Sequence, residues 1–192
     1  TLDHISKNVD ILWMSRFHYK KNSDLAIHEH LYYQLFYFFE GSSRLFLDGT
    51  WITLSCPSIL LISPTTEHGL DVSEGLKTMD IKFTLKNQKA REQLKGICGL
   101  SGISEWNNIE KLLEELLVIG TQKKSLFRER CHLVLSVILL QLMSEKMDEG
   151  DNHLEARLDQ NALVTKSPLC NSLVDYIAEN LESRQSEFEN CL

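Results

Sequence analysis

Residues 28–68 read HEHLYYQLFYFFEGSSRLFLDGTWITLSCPSILLISPTTEH, and this stretch decides the fold. Short apolar runs in it are separated by turn-forming residues, among them Asp48-Gly49 and Ser63-Pro64. An Asp-Gly pair between apolar runs is a strong signal for a β-hairpin. Closely spaced short strands are typical of antiparallel barrels and sandwiches. The stretch therefore predicts consecutive antiparallel strands, with histidines at its two ends.

Two further turns are predicted, at residues 40–42 (Glu-Gly-Ser) and 73–75 (Ser-Glu-Gly). After the second turn, residues 77–85 alternate between apolar and polar side chains. This period of two predicts a half-buried strand, the last of the sheet. Its polar face carries Thr78, Asp80, Lys82 and Thr84.

Helical patterns follow the last predicted strand. A short helix is predicted over residues 86–98, and a longer one over residues 105–119, where leucines recur at helical spacing. Ser125 is the predicted cap of a third helix that runs to about Met147. Its middle, residues 133–143, is apolar nearly all round, which indicates burial on more than one side. We therefore predict an antiparallel helical hairpin after the sheet.

Composition and charge disfavour several functions. A net charge of −7 does not suit an electrostatic grip on nucleic acid. The longest apolar run, Leu133 to Leu140, is far shorter than the roughly 20 residues of a membrane helix. Five scattered cysteines without a C-x-x-C pattern indicate a reducing cytoplasm. No serine or cysteine lies in a recognisable nucleophile motif, so nucleophilic catalysis has little support and we predict no catalytic residues.

The histidines at the two ends suggest a binding site. On a strand, His28 and His30 point the same way, about 6–7 Å apart along the chain, so their imidazoles can converge on one ion. Gln34 has the same parity, but it joins them only if the chain bends near residues 31–32 and Gln34 begins the next strand. His68 must come from a distant strand. The alternative is a polar rim that is satisfied by water and backbone.

We predict that this region forms a pocket for a small-molecule effector. Phe36 and Phe38 share the face of Gln34, and both also suit a hydrophobic core. The predicted ligand-binding residues are His28, His30, Gln34, Phe36, Phe38 and His68. A divalent metal (Zn, Ni, Mn or Fe) at the three histidines is the open alternative. Because the set carries no charge and glutamine is a weak ligand, we expect no cofactor.

These residues resemble the cupin superfamily. Its first motif is H-x-H, a glutamate and a glycine, which His28-Glu29-His30, Gln34 and Gly41 match in spacing, with Gln34 in place of the glutamate. The second motif is matched from residue 58 to 68, with Ser58 and Thr66 in place of its glycines and one residue fewer before the histidine. The resemblance implies an α+β protein. Its parts are a cupin-like antiparallel β-barrel (double-stranded β-helix), an α-helical hairpin and a terminal helix.

The order of parts resembles an AraC-type transcriptional regulator. Residues 174–180, VDYIAEN, resemble the first helix of the DNA-binding domain of that family. The resemblance implies an effector-binding barrel over residues 1–86, a helical dimerisation region over 87–149, a linker over 150–167 and the start of a DNA-binding domain over 168–192. DNA would be contacted through the rest of that C-terminal domain, with its helix-turn-helix units, and not through this chain. A stand-alone metal-dependent cupin enzyme, an oxygenase or isomerase, is the alternative.

The apolar surface of the helical hairpin predicts a homodimer. It exceeds what one sheet can cover, and a large apolar patch on a protein surface marks an interface. The predicted interface residues are Leu126, Leu133, Val134, Val137, Ile138 and Gln141. The sequence leaves open which face of this helix looks outward.

Overall fold

The computed structural model describes residues 8–101 and 106–155. The chain divides into two compact units, Thr1–Asn152 and His153–Leu192. The predicted linker over 150–167 is helical as far as Glu155. The remainder of that linker and the predicted terminal helix over 168–192 lie outside the described residues. The division of the first part at residues 86 and 87 stays a prediction.

In the part of the chain that the structure describes, seven strands form one sheet, and all pairings among them are antiparallel. They are β1 (Val9–Tyr19), β2 (Ser23–His28), β3 (Tyr33–Leu47), β4 (Thr50–Leu54), β5 (Ser58–Ile62), β6 (His68–Leu85) and β7 (Gly99–Ser101). The order is β1-β6-β3-β5-β7, with β2 paired to β6 and β4 paired to β3. The predicted antiparallel sheet is thus confirmed, and its closure into a barrel stays a prediction.

Two of the predicted turns are wrong. Residues 40–42 lie inside β3 and residues 73–75 lie inside β6, so each strand continues through its glycine. The pairing of β3 with β6 shifts register on both sides of Glu40, as it does at a β-bulge. Gly41 has a φ of 116°, and a Cβ there would overlap the backbone of Gly75. A residue without a side chain is therefore required where these strands bend and approach each other.

Within the described residues three helices follow β6, and none of them is both long and apolar enough to span a membrane. They are α1 (Gln88–Lys95), α2 (Trp106–Gln122) and α3 (Phe127–Glu155). The Asn87 side chain caps α1 by accepting from the backbone of Lys89 at 2.8 Å. On α3, Arg130 donates to Glu115 of α2 at 3.2 Å. The predicted sheet followed by a helical pair is confirmed.

The sheet is covered on both faces over much of its area. One cluster of buried residues joins one face to the helices, including Ile81, Phe83, Leu113 and Leu135. The second cluster lies on the opposite face and draws on β3, β4, β5 and β6. Its members come from both halves of β3, which the bend at Gly41 brings to a common interior. We call the space that this second cluster fills the second interior, and His28, His30 and His68 lie at one end of it.

The structure contradicts part of the predicted dimer surface. Val134 and Ile138 are 8% and 0% exposed and pack in the cluster between helices and sheet. They face the core of their own chain because α3 turns this side towards the sheet, so they are removed from the predicted interface. The other four residues are exposed or half-buried: Leu126, Leu133, Val137 and Gln141. An interface through these four stays a prediction.

Candidate ligand and metal site

Three imidazoles that the sequence places far apart meet at one end of the second interior. His28 is the last residue of β2 and pairs with His68, the first residue of β6. His30 follows in the connection to β3. The ring centroid of His68 lies 4.3 Å from that of His28 and 4.8 Å from that of His30. One nitrogen from each ring lies within 4.8 Å of the other two. The predicted trio is therefore brought together.

The backbone fixes the orientation of all three rings. Their Nδ1 atoms lie 2.8, 2.9 and 2.9 Å from the carbonyl oxygens of Ala26, Tyr32 and Thr66, respectively. A carbonyl only accepts, so each Nδ1 carries a proton and donates it. In a neutral ring the other nitrogen, Nε2, then holds a lone pair. Backbone bonds of this kind are the usual support of histidines that bind a metal through the second nitrogen.

His68 presents an unsatisfied buried atom. The residue is 1% exposed, and its Nε2 has no hydrogen-bond partner among the described residues. Burial lowers the pKa of His68 to about 4, so the ring is neutral at pH 7. Leaving a buried polar atom without a partner costs about 1–3 kcal/mol. Such an atom in a native fold calls for a ligand, an ion or a water at that place.

Gln34 lies beside the histidines because the chain bends where the sequence requires it to bend. The chain bends at residues 31–32, and β3 begins at Tyr33. The Gln34 Oε1 atom lies 2.6 Å from His30 Nε2, and its Nε2 atom donates to Asp80 Oδ1 at 2.8 Å. Gln34 is 2% exposed. It therefore links an imidazole of the cluster to a buried carboxylate.

Asp80 is a site residue that the sequence reasoning missed. Its alternating strand predicted a polar outer face for Asp80, but Asp80 is 3% exposed and Thr78 is 1% exposed. Both faces of β6 are covered here, because the second cluster lies over the side that the alternation marks as polar. Burial raises the pKa of Asp80 to about 6. In the sequence, the only sign of a site role for Asp80 was that it lies on the same face of the strand as Lys82.

The contacts from His30 through Gln34 to Asp80 require one extra positive charge. Because His30 Nδ1 donates to Tyr32, a neutral ring offers only a lone pair to Gln34 Oε1, which is also an acceptor. Reversing the amide of Gln34 moves the mismatch to Asp80 unless that carboxyl is protonated. A proton on either end satisfies both contacts. A metal ion held by His30 Nε2 and Gln34 Oε1 satisfies them as well.

The residues of the cluster fit a divalent metal ion. Imidazole nitrogens suit Zn, Ni and Fe, and an amide oxygen is acceptable to Mn and Fe. The orphaned Nε2 of His68 would gain a partner. Although all four donors are neutral, Asp80 supplies a negative charge through its bond with Gln34. The sequence alone counted against a metal, because three histidines and a glutamine carry no negative charge to offset a dication. The buried carboxylate of Asp80 supplies that charge.

Phe36 and Phe38 lie on the face of Gln34, as predicted from their parity, and form the floor of this interior. Their rings stack with centroids 5.4 Å apart and are 1% and 0% exposed. They pack with Leu45, Leu60 and others in the second cluster. Their place is in the core, and a direct contact with a ligand stays a prediction.

No family model matches this chain, and neither does any curated protein. Among solved structures, an RmlC-like cupin from Shewanella frigidimarina is 18% identical, with a TM-score of 0.37 over 43% of this chain and 71% of that one. A cupin superfamily protein from Desulfitobacterium hafniense is 17% identical, with a TM-score of 0.36 over 40% and 68%. A predicted oxalate decarboxylase from Thermotoga maritima is 13% identical, with a TM-score of 0.37 over 40% and 68%. Because these TM-scores are all below 0.5, no activity, metal or ligand of these proteins is carried over to this chain.

Proposed function

We propose that this chain is the effector-binding and dimerisation part of an AraC-type transcriptional regulator, with the histidine cluster as its effector site. The observation that carries the proposal is the buried, unpartnered Nε2 of His68, which faces two further imidazoles. A buried acceptor held in this way favours a site that is completed by a ligand. The order of sheet, helical pair and a segment that resembles a DNA-binding helix supports the regulatory role.

A divalent ion is part of the proposal. His28, His30 and His68 would hold it, with Gln34 as a fourth donor. Three protein nitrogens leave further coordination positions open. The bound ion would supply Lewis-acid polarisation to a ligand atom placed at these open positions. The effector would bind where β2 pairs with β6, and its recognition by the other groups of the site does not depend on the ion.

Dimerisation is assigned to the outer side of α3. On this helix Leu133 is 43% exposed and Val137 and Gln141 are partly exposed, and Leu126, in the turn that precedes the helix, is 61% exposed. Exposed aliphatic side chains grouped on one helix favour an interface, and a two-fold dimer is the commonest closed assembly. In a regulator, such a dimer would hold two DNA-binding domains at the spacing of two half-sites.

The regulatory role is tested in the source cells with the complete gene product. DNA that crosslinks to the tagged protein is precipitated and sequenced, for the wild type, for His68→Ala and for His18→Ala. His18 is an exposed histidine of β1 outside the cluster and serves as the matched control. We expect discrete DNA sites whose occupancy changes in His68→Ala alone. No enrichment of discrete sites in any of the three strains would contradict the proposal.

A stand-alone metal-dependent cupin enzyme, an oxygenase or isomerase, is the second candidate. It is favoured by the open positions that three imidazoles leave on a dication, which is the arrangement of catalytic rather than structural metal sites. Oxygen uptake by the Fe²⁺-loaded chain, measured with a panel of small acids and sugars, tests it. Uptake that His68→Ala abolishes, together with an absence of DNA sites in the cells, would replace the regulator by the enzyme.

A further inference from the structure

Lys82 stands next to the histidine cluster on the same face of the sheet. It pairs across the strands with Trp13 of β1 on one side and with Gln34 of β3 on the other. Directly paired residues on neighbouring strands project to one side of a sheet. Burial is the main cause of the lowered pKa of both His30 and His68, and the Lys82 ammonium adds a smaller lowering to each. The cation and the cluster therefore lie side by side on one face of the sheet.

Two aromatic rings flank this ammonium. Its Nζ atom lies 5.0 Å from the ring centroid of Trp13 and 5.5 Å from that of Tyr32. The Tyr32 ring in turn stacks on His30 with centroids 3.8 Å apart. Cation–π contacts of this kind restrain a lysine whose flexible stem would otherwise sample many positions. The ammonium is thus held between the rings and the histidines.

Within residues 8–101 and 106–155, no carboxylate forms an ion pair with Lys82. Two exposed lysines nearby in the chain do have such partners: Lys77 of β6 pairs with Glu40 at 2.8 Å, and Lys21, in the turn between β1 and β2, pairs with Glu74 at 3.1 Å. Asp80, two residues away on β6, accepts from Gln34 instead. Among the described residues, Lys82 is thus a half-buried cation without an ion pair, and it lies near the His68 Nε2 atom that has no hydrogen-bond partner there. Asp80 balances part of its charge from a distance: burial raises the pKa of Asp80, and Lys82 opposes that rise.

The rings also offer an apolar wall to a ligand. Trp13 and Phe17 are 40% and 41% exposed, and their centroids lie 5.5 Å apart along β1. Large aromatic side chains exposed beside a cation form the usual binding-site combination of apolar walls and a few placed polar groups. A single lysine next to the buried Asp80 suits a monoanion, because phosphate recognition draws on several cations or an arginine fork.

We infer that Lys82, Trp13 and Tyr32 form the recognition wall of the histidine pocket and bind a small monocarboxylate with a flat apolar body. The inference rests on the proposed effector site, since it names the chemical class of the effector. The carboxylate accepts from the Lys82 ammonium, and the apolar body lies against Trp13. The imidazoles close the pocket on the inner side.

The test is a calorimetric titration of the 192-residue chain with benzoate in buffer containing EDTA, so that no metal ion contributes. Benzamide is the neutral probe of the same shape, and acetate is the anion without the ring. We expect saturable binding of benzoate. Benzamide should bind about tenfold or more weakly, since one charge-assisted hydrogen bond is worth at least that factor. Acetate should also bind about tenfold or more weakly, since it has no ring to bury against Trp13. Lys82→Gln should weaken benzoate binding about tenfold, and Lys82→Arg should restore it.

Lys77→Gln is the matched control, because Lys77 lies on the same strand and is paired with Glu40. Thermal unfolding of each variant verifies that it is folded. Benzoate affinity that is equal in Lys82→Gln and the wild type would overturn the inference, as would the absence of saturable binding to the wild type. Either outcome leaves the proposed regulator standing if DNA sites are found in the cells. Conversely, Lys82-dependent benzoate binding without DNA sites overturns the regulator alone.

Discussion

Asp80 and His68 are two separate buried groups, and their shifted pKa values make the stability of the protein depend on pH in opposite directions. The folded-state pKa of Asp80, about 6, lies above its ordinary value of 3.8. As the pH falls through this window, the folded protein binds the proton first, so this group increases the stability. For His68 the folded-state pKa, about 4, lies below its ordinary value of 6.5. The unfolded chain then binds the proton first, so His68 decreases the stability as the pH falls.

The two contributions are similar in size and opposite in sign. Each difference between folded and ordinary pKa corresponds to about 3 kcal/mol of unfolding free energy. In the wild type they offset each other between about pH 6.5 and pH 4. Asp80→Asn keeps an oxygen that accepts from Gln34 but removes the titration. As the pH is lowered from about 6.5 to 4, the unfolding free energy of Asp80→Asn should therefore fall by about 3 kcal/mol relative to that of the wild type. The unfolding free energy of His68→Asn should rise by a similar amount over the same range.

Urea denaturation at a series of pH values, with EDTA present, measures these differences. The matched control is Asp71→Asn, on the same strand with a side chain 56% exposed, and its profile should run parallel to that of the wild type. A profile of Asp80→Asn that is also parallel to the wild type would refute the burial of the carboxyl. Profiles of Asp80→Asn and His68→Asn that bend in the same direction would refute the opposition of the two groups.

Three further predictions concern assembly, DNA and metal affinity. In light scattering across a dilution series, Val137→Glu should give a folded monomer and Ile138→Glu should lose the fold, because Ile138 is 0% exposed; a wild type that stays monomeric at tens of micromolar contradicts the interface. The 192-residue chain, with its net charge of −7, should show no salt-sensitive, sequence-selective shift of duplex DNA in a gel assay, and such a shift would contradict the placement of DNA reading elsewhere. Gln34→Glu should destabilise the metal-free protein through repulsion with Asp80 and tighten Zn²⁺ binding about tenfold in a chelator competition. The exposed Gln122→Glu at the end of α2 should change neither, and equal Zn²⁺ affinity in the two variants would exclude Gln34 as a donor.

The local features of the site were predictable from the sequence because they depend on neighbouring residues. The shared parity of His28, His30 and Gln34, and the bend at residues 31–32 that Gln34 needs, follow from the pleat of a strand. The pairing of His28 with His68 does not, since it depends on the register of β2 against β6. Motif spacing suggested that His68 belonged to the set, and the register supplies the reason.

Features set by what covers a surface were not predictable. Asp80 lies on an alternating strand, which indicates one wet face, yet a second cluster covers that face. The apolar α3 left two orientations open, and only its packing on the sheet selects Ile138 for the core. Glycine with small polar neighbours, as at Gly41, marks either a turn or a bulge. The close approach to Gly75 decides for the bulge.

The convergence of the three imidazoles is tested most directly by long-range ¹H–¹⁵N correlation spectra of the uniformly ¹⁵N-labelled chain, recorded with and without an equivalent of Zn²⁺. The bonds to backbone carbonyls predict a protonated Nδ1 for His28 and His68, and the burial that lowers the pKa of His68 to about 4 predicts an unprotonated Nε2 there in the metal-free protein at neutral pH. On addition of Zn²⁺, the Nε2 resonances of His28, His30 and His68 should shift together, while those of His18 and His132 stay in place. A protonated Nε2 at His68, or zinc-dependent shifts confined to His18 and His132, would contradict the site.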